Sequence, residues 1–182
     1  METPLEFSIK TGDQVTIKSP KESDARAVYE YFNKIGGETD YLTFGEGEYD
    51  SSIRDLKKLF RELDQKPNSF IRIAVVETRV IAVLNFTGGN RTRTRHGGNL
   101  NITVSKKFWE CGIGSKMLHE LLDWARKTDV IRKINLKVRT DNTRAIRFYK
   151  KFGFKEEGRI SRDSHSGGQF YDNLCMGLKI DK

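Results

Sequence analysis

The 182 residues of this chain call for an α/β protein built on one mixed sheet with helices packed against it. Three observations lead there. Short runs with period-2 alternation are interspersed with segments whose apolar residues recur at 3–4 spacing. Hydrophobic residues make up 36% of the chain, with 11 Phe, 6 Tyr and 2 Trp, which is rich enough for a sizeable core. No internal repeat, low-complexity tract or linker interrupts the pattern, so residues 1–182 are expected to form one domain.

The elements follow in order. Phe7 to Lys10 and Val15 to Lys18 alternate around the turn TGDQ and form an opening hairpin. In SPKESDARAVYEYFNKIGG, Ser23 or Asp24 can cap a helix whose stripe is Val28, Tyr31, Phe32 and Ile35, and Gly36 ends it. After the polar loop ETDYLTFGEGEYD, a second helix carries Ile53, Leu56, Leu59, Phe60 and Leu63 and stops before Pro67. The strands SFIRIAVVE and VIAVLNFTG meet at a turn over Thr78–Arg79. The basic stretch GNRTRTRHGG leads to the strand NLNITVS, with Leu100, Ile102 and Val104 on one side. Helix 112–127 follows, its stripe Ile113, Met117, Leu118, Leu121, Leu122 and Ala125. The strand KINLKVR, the helix NTRAIRFYKKFG and two closing strands complete the order β-β-α-α-β-β-β-α-β-α-β-β.

Bulk properties narrow the setting. A net charge of +8 suits an anionic ligand such as a nucleotide cofactor, nucleic acid or a membrane surface, or simply a basic solvated surface. Two cysteines, Cys111 and Cys175, make neither a disulfide framework nor a metal cluster. METPLEFSIK has no apolar signal core, and no apolar run approaches the ~20 residues of a membrane span, so a cytoplasmic setting is expected.

The stretch FWECGIGSKML holds two glycines, Gly112 and Gly114, at the mouth of a helix. A dinucleotide fingerprint would need a small residue at Met117, and a Walker loop would need Lys then Ser or Thr directly after Gly114. Both nucleotide readings fail. What remains is a strand, a short loop and a helix start, where the N–H groups of residues 110 to 115 could converge on a pyrophosphate. An ordinary strand-to-helix turn would also explain the glycines. A second stretch, RTDNTRAIRFYKKFGF, places Asn142 at a helix start and Tyr149 about two turns along, on the face of Ala145, Phe148 and Phe152. Gly153 can close that helix in a left-handed conformation.

Taken together, the two stretches resemble the GCN5-related N-acetyltransferase (GNAT) superfamily, from about Asn99 to Leu178 and, more weakly, in element order before that. Its signature, Gln/Arg-x-x-Gly-x-Gly/Ala then Asn-x-x-Ala-x-x-x-Tyr-x-x-x-Gly-Phe, stands here as Trp109 to Gly114, then Asn142, Ala145, Tyr149 and Gly153–Phe154. Trp109 departs from the usual Gln or Arg. A tryptophan at this place resembles the branch of ribosomal-protein N-terminal and spermidine acetyltransferases.

The resemblance implies acetyl-CoA as cosubstrate and a splayed pair of central strands, NITV and KINLKVR, in a mostly antiparallel sheet. Its pyrophosphate would lie on the amides of Trp109, Glu110, Cys111, Gly112, Ile113, Gly114 and Ser115. Its pantetheine arm would pair with the backbone of Ile102, Thr103 and Val104. Asn142 and Ala145 would border the cofactor, and Tyr149 would stand near the sulfur as the acid for the departing thiolate. The base stays open between His96 and water relays ending at Glu46 or Glu48. Glu46 and Glu48 in GEGEYD could hold the acceptor amine, and Tyr171 and Asp172 in GQFYDN stand where relatives build the other wall of its site. A solvated acidic loop and ordinary strand positions explain these four as well. Arg91, Arg93 and Arg95 share one face if extended and could meet an acidic partner, RNA or the 3′-phosphate of CoA, or form a solvated hairpin tip; no aromatic interleaving suggests a base-stacking platform. Cys111 at a helix N-terminus could be activated, but the family works by direct attack in a ternary complex.

The expected activity is thus N-acetyl transfer to a primary amine, either a small molecule or a protein N-terminus. A CoA-binding sensor without turnover is the alternative, and a basic RNA-associated protein a further one. Many relatives are dimers, so a homodimer is one assembly the chain admits.

Overall fold

The structure, a computed structural model, describes residues 3–63 and 65–181, with Leu63 described by its backbone alone. Its elements keep the expected order: β1 (Leu5–Ser8), β2 (Gln14–Lys18), α1 (Ala25–Ile35), α2 (Ile53–Leu63), β3 (Ser69–Val76), β4 (Arg79–Gly88), β5 (Gly97–Val104), α3 (Ile113–Lys127), β6 (Lys133–Arg139), α4 (Thr143–Lys151), β7 (Lys155–Ser166) and β8 (Gln169–Lys179).

Local chemistry sets the boundaries. Ser52 Oγ accepts from the Asp55 amide at 3.1 Å while the Asp55 carboxylate accepts from the Ser52 amide at 3.2 Å, a reciprocal cap that starts α2. Asp24 occupies the cap position of α1, but its carboxylate turns back to the Lys21 amide and to Lys18, both at 2.8 Å. The β3–β4 turn differs from expectation by one residue. Val76 pairs with Arg79, so Glu77 and Thr78 make the turn, with Glu77 left-handed at φ 56°. The first strand also starts earlier, at Leu5 rather than Phe7. Of the expected α2 stripe, Leu56 and Phe60 are buried, Leu59 is exposed, and the Leu63 side chain lies outside the described residues.

All eight strands form one sheet in the order β1-β2-β3-β4-β5-β6-β8-β7. Every pairing is antiparallel except β5 with β6. Alternation along the central strands sends Leu100, Ile134, Leu136 and Val138 to one face, where they pack with the buried stripe of α3 and with Tyr149 of α4. On the opposite face, α1 and α2 bury Val28, Tyr31, Ile35, Leu56 and Phe60 over Ile71, Ile73 and Val83. An ion pair of 2.9 Å between Arg72 on β3 and Glu120 on α3 joins sheet and helix at the first of these faces. No described helix is long and apolar enough to cross a membrane.

The parallel pair β5–β6 is short. Gly97, Gly98 and Asn99 pair with Lys133, Ile134 and Asn135, and beyond them the strands part. The edge of β5 from Leu100 to Val104 that faces β6 therefore has no strand partner. This V opens a slot through the middle of the sheet, from the α3/α4 face to the α1/α2 face.

Candidate active site

A cleft of about 1380 Å³ runs through that slot. On the α3/α4 side it is bounded by the loop between β5 and α3. A 3-10 turn, Lys106–Phe108, brings the chain round, and Glu110 and Gly112 then take left-handed φ values of 61° and 80°. For Glu110 this conformation costs on the order of 1–2 kcal/mol, a strain typical of functional turns. The result is a run of six consecutive amides, residues 110 to 115, that find no acceptor among the described residues. The first helical bond of α3 comes only from the Lys116 amide to the Gly112 carbonyl at 3.1 Å. Free amides at the positive end of a helix make a concave anion site.

The two glycines do different things. At Gly112 the positive φ demands glycine, and a Cβ would meet nothing within 4 Å, so open space stands before the turn. At Gly114 a Cβ would lie 3.6 to 3.9 Å from Ile102, Phe148 and Val104, ordinary packing distances the fold would tolerate. Those three side chains line the cleft, so the added atom would narrow the groove. Trp109 braces the loop, and its amide, expected to face the pyrophosphate, donates instead to the Lys106 carbonyl at 3.2 Å. Its indole N–H donates to the Val104 carbonyl at 2.6 Å, and the Arg144 guanidinium lies 3.3 Å over its ring. The Val104 carbonyl is thereby taken, whereas Ile102 and Thr103 still line the slot. Thr103 is itself fixed by the Tyr31 hydroxyl, which donates to its Oγ1 at 2.9 Å.

Helix α4 closes the same side. Asn142 caps it, its Oδ1 accepting from the Ala145 amide at 3.1 Å, and its amide group still borders the cleft with Ala145. Tyr149, 8% exposed, lines the slot, and its hydroxyl has no partner among the described residues. Burial alone raises its pKa well above the ordinary 10.0, so the group stays a proton donor through the physiological range. Arg144, Arg147 and Lys151 also line the cleft, spaced to share one side of α4.

On the α1/α2 face the cleft is walled by Phe32, Phe44 and Tyr49 and floored by Asn85, Asn99 and Asn101. Arg139, 6% exposed, holds the covering loop to the end of β6. It donates to the Asp40 carbonyl at 2.6 Å and to both carboxylate oxygens of Asp141, and its guanidinium stacks 3.6 Å from the Tyr171 ring. Nearby, Asn173 donates to Asp163 at 2.9 Å and to Ser164 at 3.0 Å, and Lys137 reaches Asp163 at 3.1 Å.

The structure brings together at this cleft Ile102, Thr103, Val104, Trp109, Glu110, Gly112, Ile113, Gly114, Ser115, Asn142, Ala145 and Tyr149. Of the other six expected site residues, Cys111 contributes only its amide to the run of 110–115, and five lie elsewhere. The Cys111 thiol packs against the core and donates to the Trp109 carbonyl at 3.5 Å. Exposed His96 sits at the closed end of the β5–β6 pair, roughly 20 Å of strand from Ile102. The Glu48 carboxylate caps its own loop at the Gly45 amide, 2.7 Å away, and Glu46 lies over Gly37. Tyr171 serves as the stacking plate for Arg139. Asp172 is spent on Arg159 and the Arg162 amide, holding the β7 bulge. Arg91, Arg93 and Arg95 are exposed and away from the cleft. Sequence reasoning missed Arg139, Asn173 and the aromatic wall, which α1, the α1–α2 loop, β6 and β8 assemble. The Arg144, Arg147, Lys151 spacing was a usable signal.

Comparison with known proteins agrees with this geometry. Residues 28–154 match the model of the acetyltransferase (GNAT) family. The L-amino acid N-acetyltransferase AaaT of Escherichia coli (strain K12) is 26% identical over 114 residues, 63% of this chain and 70% of that protein. A GNAT-family acetyltransferase from Streptococcus pneumoniae superposes with a TM-score of 0.87 at 27% identity, covering 92% of this chain and 99% of its own. A putative acetyltransferase from Salmonella typhimurium, yncA, solved with its cofactor acetyl-CoA, shares the fold at 18% identity and a TM-score of 0.78, covering 92% of this chain and 95% of its own.

Proposed function

The chain belongs to the acetyltransferase (GNAT) family, and from that premise we propose that it moves an acetyl group from acetyl-CoA to a primary amine, both substrates meeting in one ternary complex. The slot between β5 and β6 carries this reading, because it joins an anion-binding loop on one face of the sheet to an acceptor chamber on the other.

The residues present fit acetyl-CoA. The six free amides of 110–115 and the positive end of α3 suit a pyrophosphate, with Arg144, Arg147 and Lys151 adding charge at the mouth. The unpartnered edge of β5 offers pairing to an amide-bearing arm. When bound, acetyl-CoA supplies an activated acyl group whose leaving thiolate has a pKa of about 8.5. The amine nitrogen would form its bond to the acetyl carbon as the carbon–sulfur bond breaks, its surplus N–H proton passing to solvent. The Tyr149 hydroxyl gives its proton to the departing sulfur and recovers one from solvent.

The base is water. Of the carboxylates lining the cleft, Glu110 belongs to the phosphate loop, and Asp163 is held below its ordinary range by Asn173 and Lys137. An amine with a pKa near ~10.4 therefore loses its proton to solvent before attack, and turnover climbs with pH toward that value.

The test is CoA-thiol release from acetyl-CoA across an amine panel, with thermal stabilisation by acetyl-CoA recorded in parallel. Stabilisation with release is expected. Stabilisation without release on any amine would favour a CoA sensor, and neither signal would overturn the cosubstrate assignment.

A further inference from the structure

On the α1/α2 face of the cleft, charge is cancelled in pairs. Lys137 is bound to Asp163 at 3.1 Å and Arg139 to Asp141 at 2.7 Å. The acidic loop adds nothing, because Glu46 and Glu48 fold back on it and do not line the cleft. What remains polar is neutral. Asn85 and Asn101 stand opposite one another in register on β4 and β5, with Asn99 two residues along, and none of the three side chains has a hydrogen-bond partner among the described residues.

Above this carboxamide floor lies an apolar wall. The Phe32 and Tyr49 rings stack with centroids 4.5 Å apart, and Phe44 packs against both at 6.1 and 5.7 Å. Leu59 and Tyr41 are 39% and 40% exposed, two of only four large hydrophobics so exposed among the described residues, and both line this cleft. Apolar surface gathered at the mouth of a reaction cleft is surface a ligand can cover.

We propose, resting on the acetyl-transfer reading above, that the acceptor is a monoamine carrying a ring-sized apolar group and a neutral hydrogen-bonding group. The ring lodges against Phe32, Phe44, Tyr49 and Leu59, and the neutral group meets the Asn85 and Asn101 carboxamides. A polyamine is disfavoured because its further ammonium groups would be desolvated here with no unpaired carboxylate to meet them. Burying one aromatic ring is worth about 10- to 100-fold in selection over an amine that lacks it.

The experiment compares kcat/KM for L-phenylalaninamide, 2-phenylethylamine, glycinamide and spermidine, with acetyl-CoA binding followed by calorimetry on the same protein. L-phenylalaninamide is expected to lead glycinamide and spermidine by tenfold or more. Leu59→Glu, a change at an exposed helix position, is expected to cut that lead at least fivefold and to raise spermidine turnover. Asn101→Ala is expected to narrow the gap between L-phenylalaninamide and 2-phenylethylamine. Spermidine in the lead, no advantage for the ring, or an unchanged ratio in Leu59→Glu would each overturn the proposal. Acetyl-CoA binding with no turnover on any of the four amines rejects this proposal alone, whereas absent acetyl-CoA binding rejects the acetyl-transfer reading beneath it as well.

Discussion

The two sides of the cleft are made of different material. The α3/α4 side presents main chain: six free amides in a row, two left-handed residues and the bare edge of a strand. The α1/α2 side presents side chains: an aromatic cluster, three carboxamides and two internally cancelled ion pairs. A backbone site is indifferent to side-chain identity except where a Cβ would intrude, so it fixes a phosphate-bearing group with few sequence requirements. A side-chain site can be rebuilt residue by residue while the sheet stays as it is. Under the proposed reading, the contrast gives one half of this protein what every turnover shares and leaves to the other the choice of amine.

The sharpest way to break that contrast is to put a side chain where the backbone must be bare. Gly112→Glu places a carboxylate before the free amides and forces an L-residue to φ 80°. The backbone penalty is about 1–2 kcal/mol, a small part of ordinary domain stability. Loss of acetyl-CoA affinity by more than 100-fold in calorimetry is expected, with a folded protein by circular dichroism. Retained affinity would mean that the amides of 110–115 hold nothing.

Tyr149→Phe is the next largest effect. About 10²-fold loss of turnover is expected on the best amine, since positioned acids supply that order of acceleration, with the acetyl-CoA dissociation constant unchanged. The lost hydroxyl leaves no orphaned partner, so stability hardly moves. The same variant has a pH signature. Burial raises the folded pKa of Tyr149 above the unfolded 10.0, so folding stabilises the protonated form. That contribution is whole below pH 10.0 and is lost as pH rises through the folded value. The stability of the parent in chemical denaturation should fall above pH 10, and Tyr149→Phe should soften that loss, with Tyr31 and Tyr49, both raised by burial, contributing in the same direction. An identical alkaline slope in both proteins would place Tyr149 in water, and unchanged turnover would remove it from the chemistry.

These unequal materials also explain what could be read from residue order. Gly112, Gly114, Asn142 and Tyr149 lie in two short stretches, and a glycine turn before an amphipathic helix is a local event, so the phosphate side shows in the sequence. The strand order and the α3 stripe show for the same reason: period and spacing are local. The acceptor side does not. Phe32 comes from α1, Tyr49 from a loop, Asn85 and Asn101 from β4 and β5, and Arg139 from the end of β6. Only the finished sheet brings them within reach. The acidic run Glu46, Glu48 misled for a related reason, since whether a loop carboxylate faces a cleft or its own turn depends on backbone conformation, here set by the bond to Gly45.

The smallest expected effects lie at the two residues whose chemistry was most suggestive in the sequence. Cys111 supplies one of the free amides, yet its thiol is turned to the Trp109 carbonyl and the core, where it can be neither acylated in transit nor placed on an acceptor. His96 carries the imidazole that general bases most often use, yet it stands on the exposed closed end of the β5–β6 pair while the slot opens at the other. Cys111→Ala and His96→Ala should each leave kcat/KM within about twofold, a margin below 0.5 kcal/mol at the tenfold-per-1.36 conversion. Rate–pH profiles decide His96 cleanly. If its imidazole were the base, His96→Ala would remove the acidic limb that the parent shows, whereas an amine deprotonated by water leaves the limb at the amine's own pKa in both proteins.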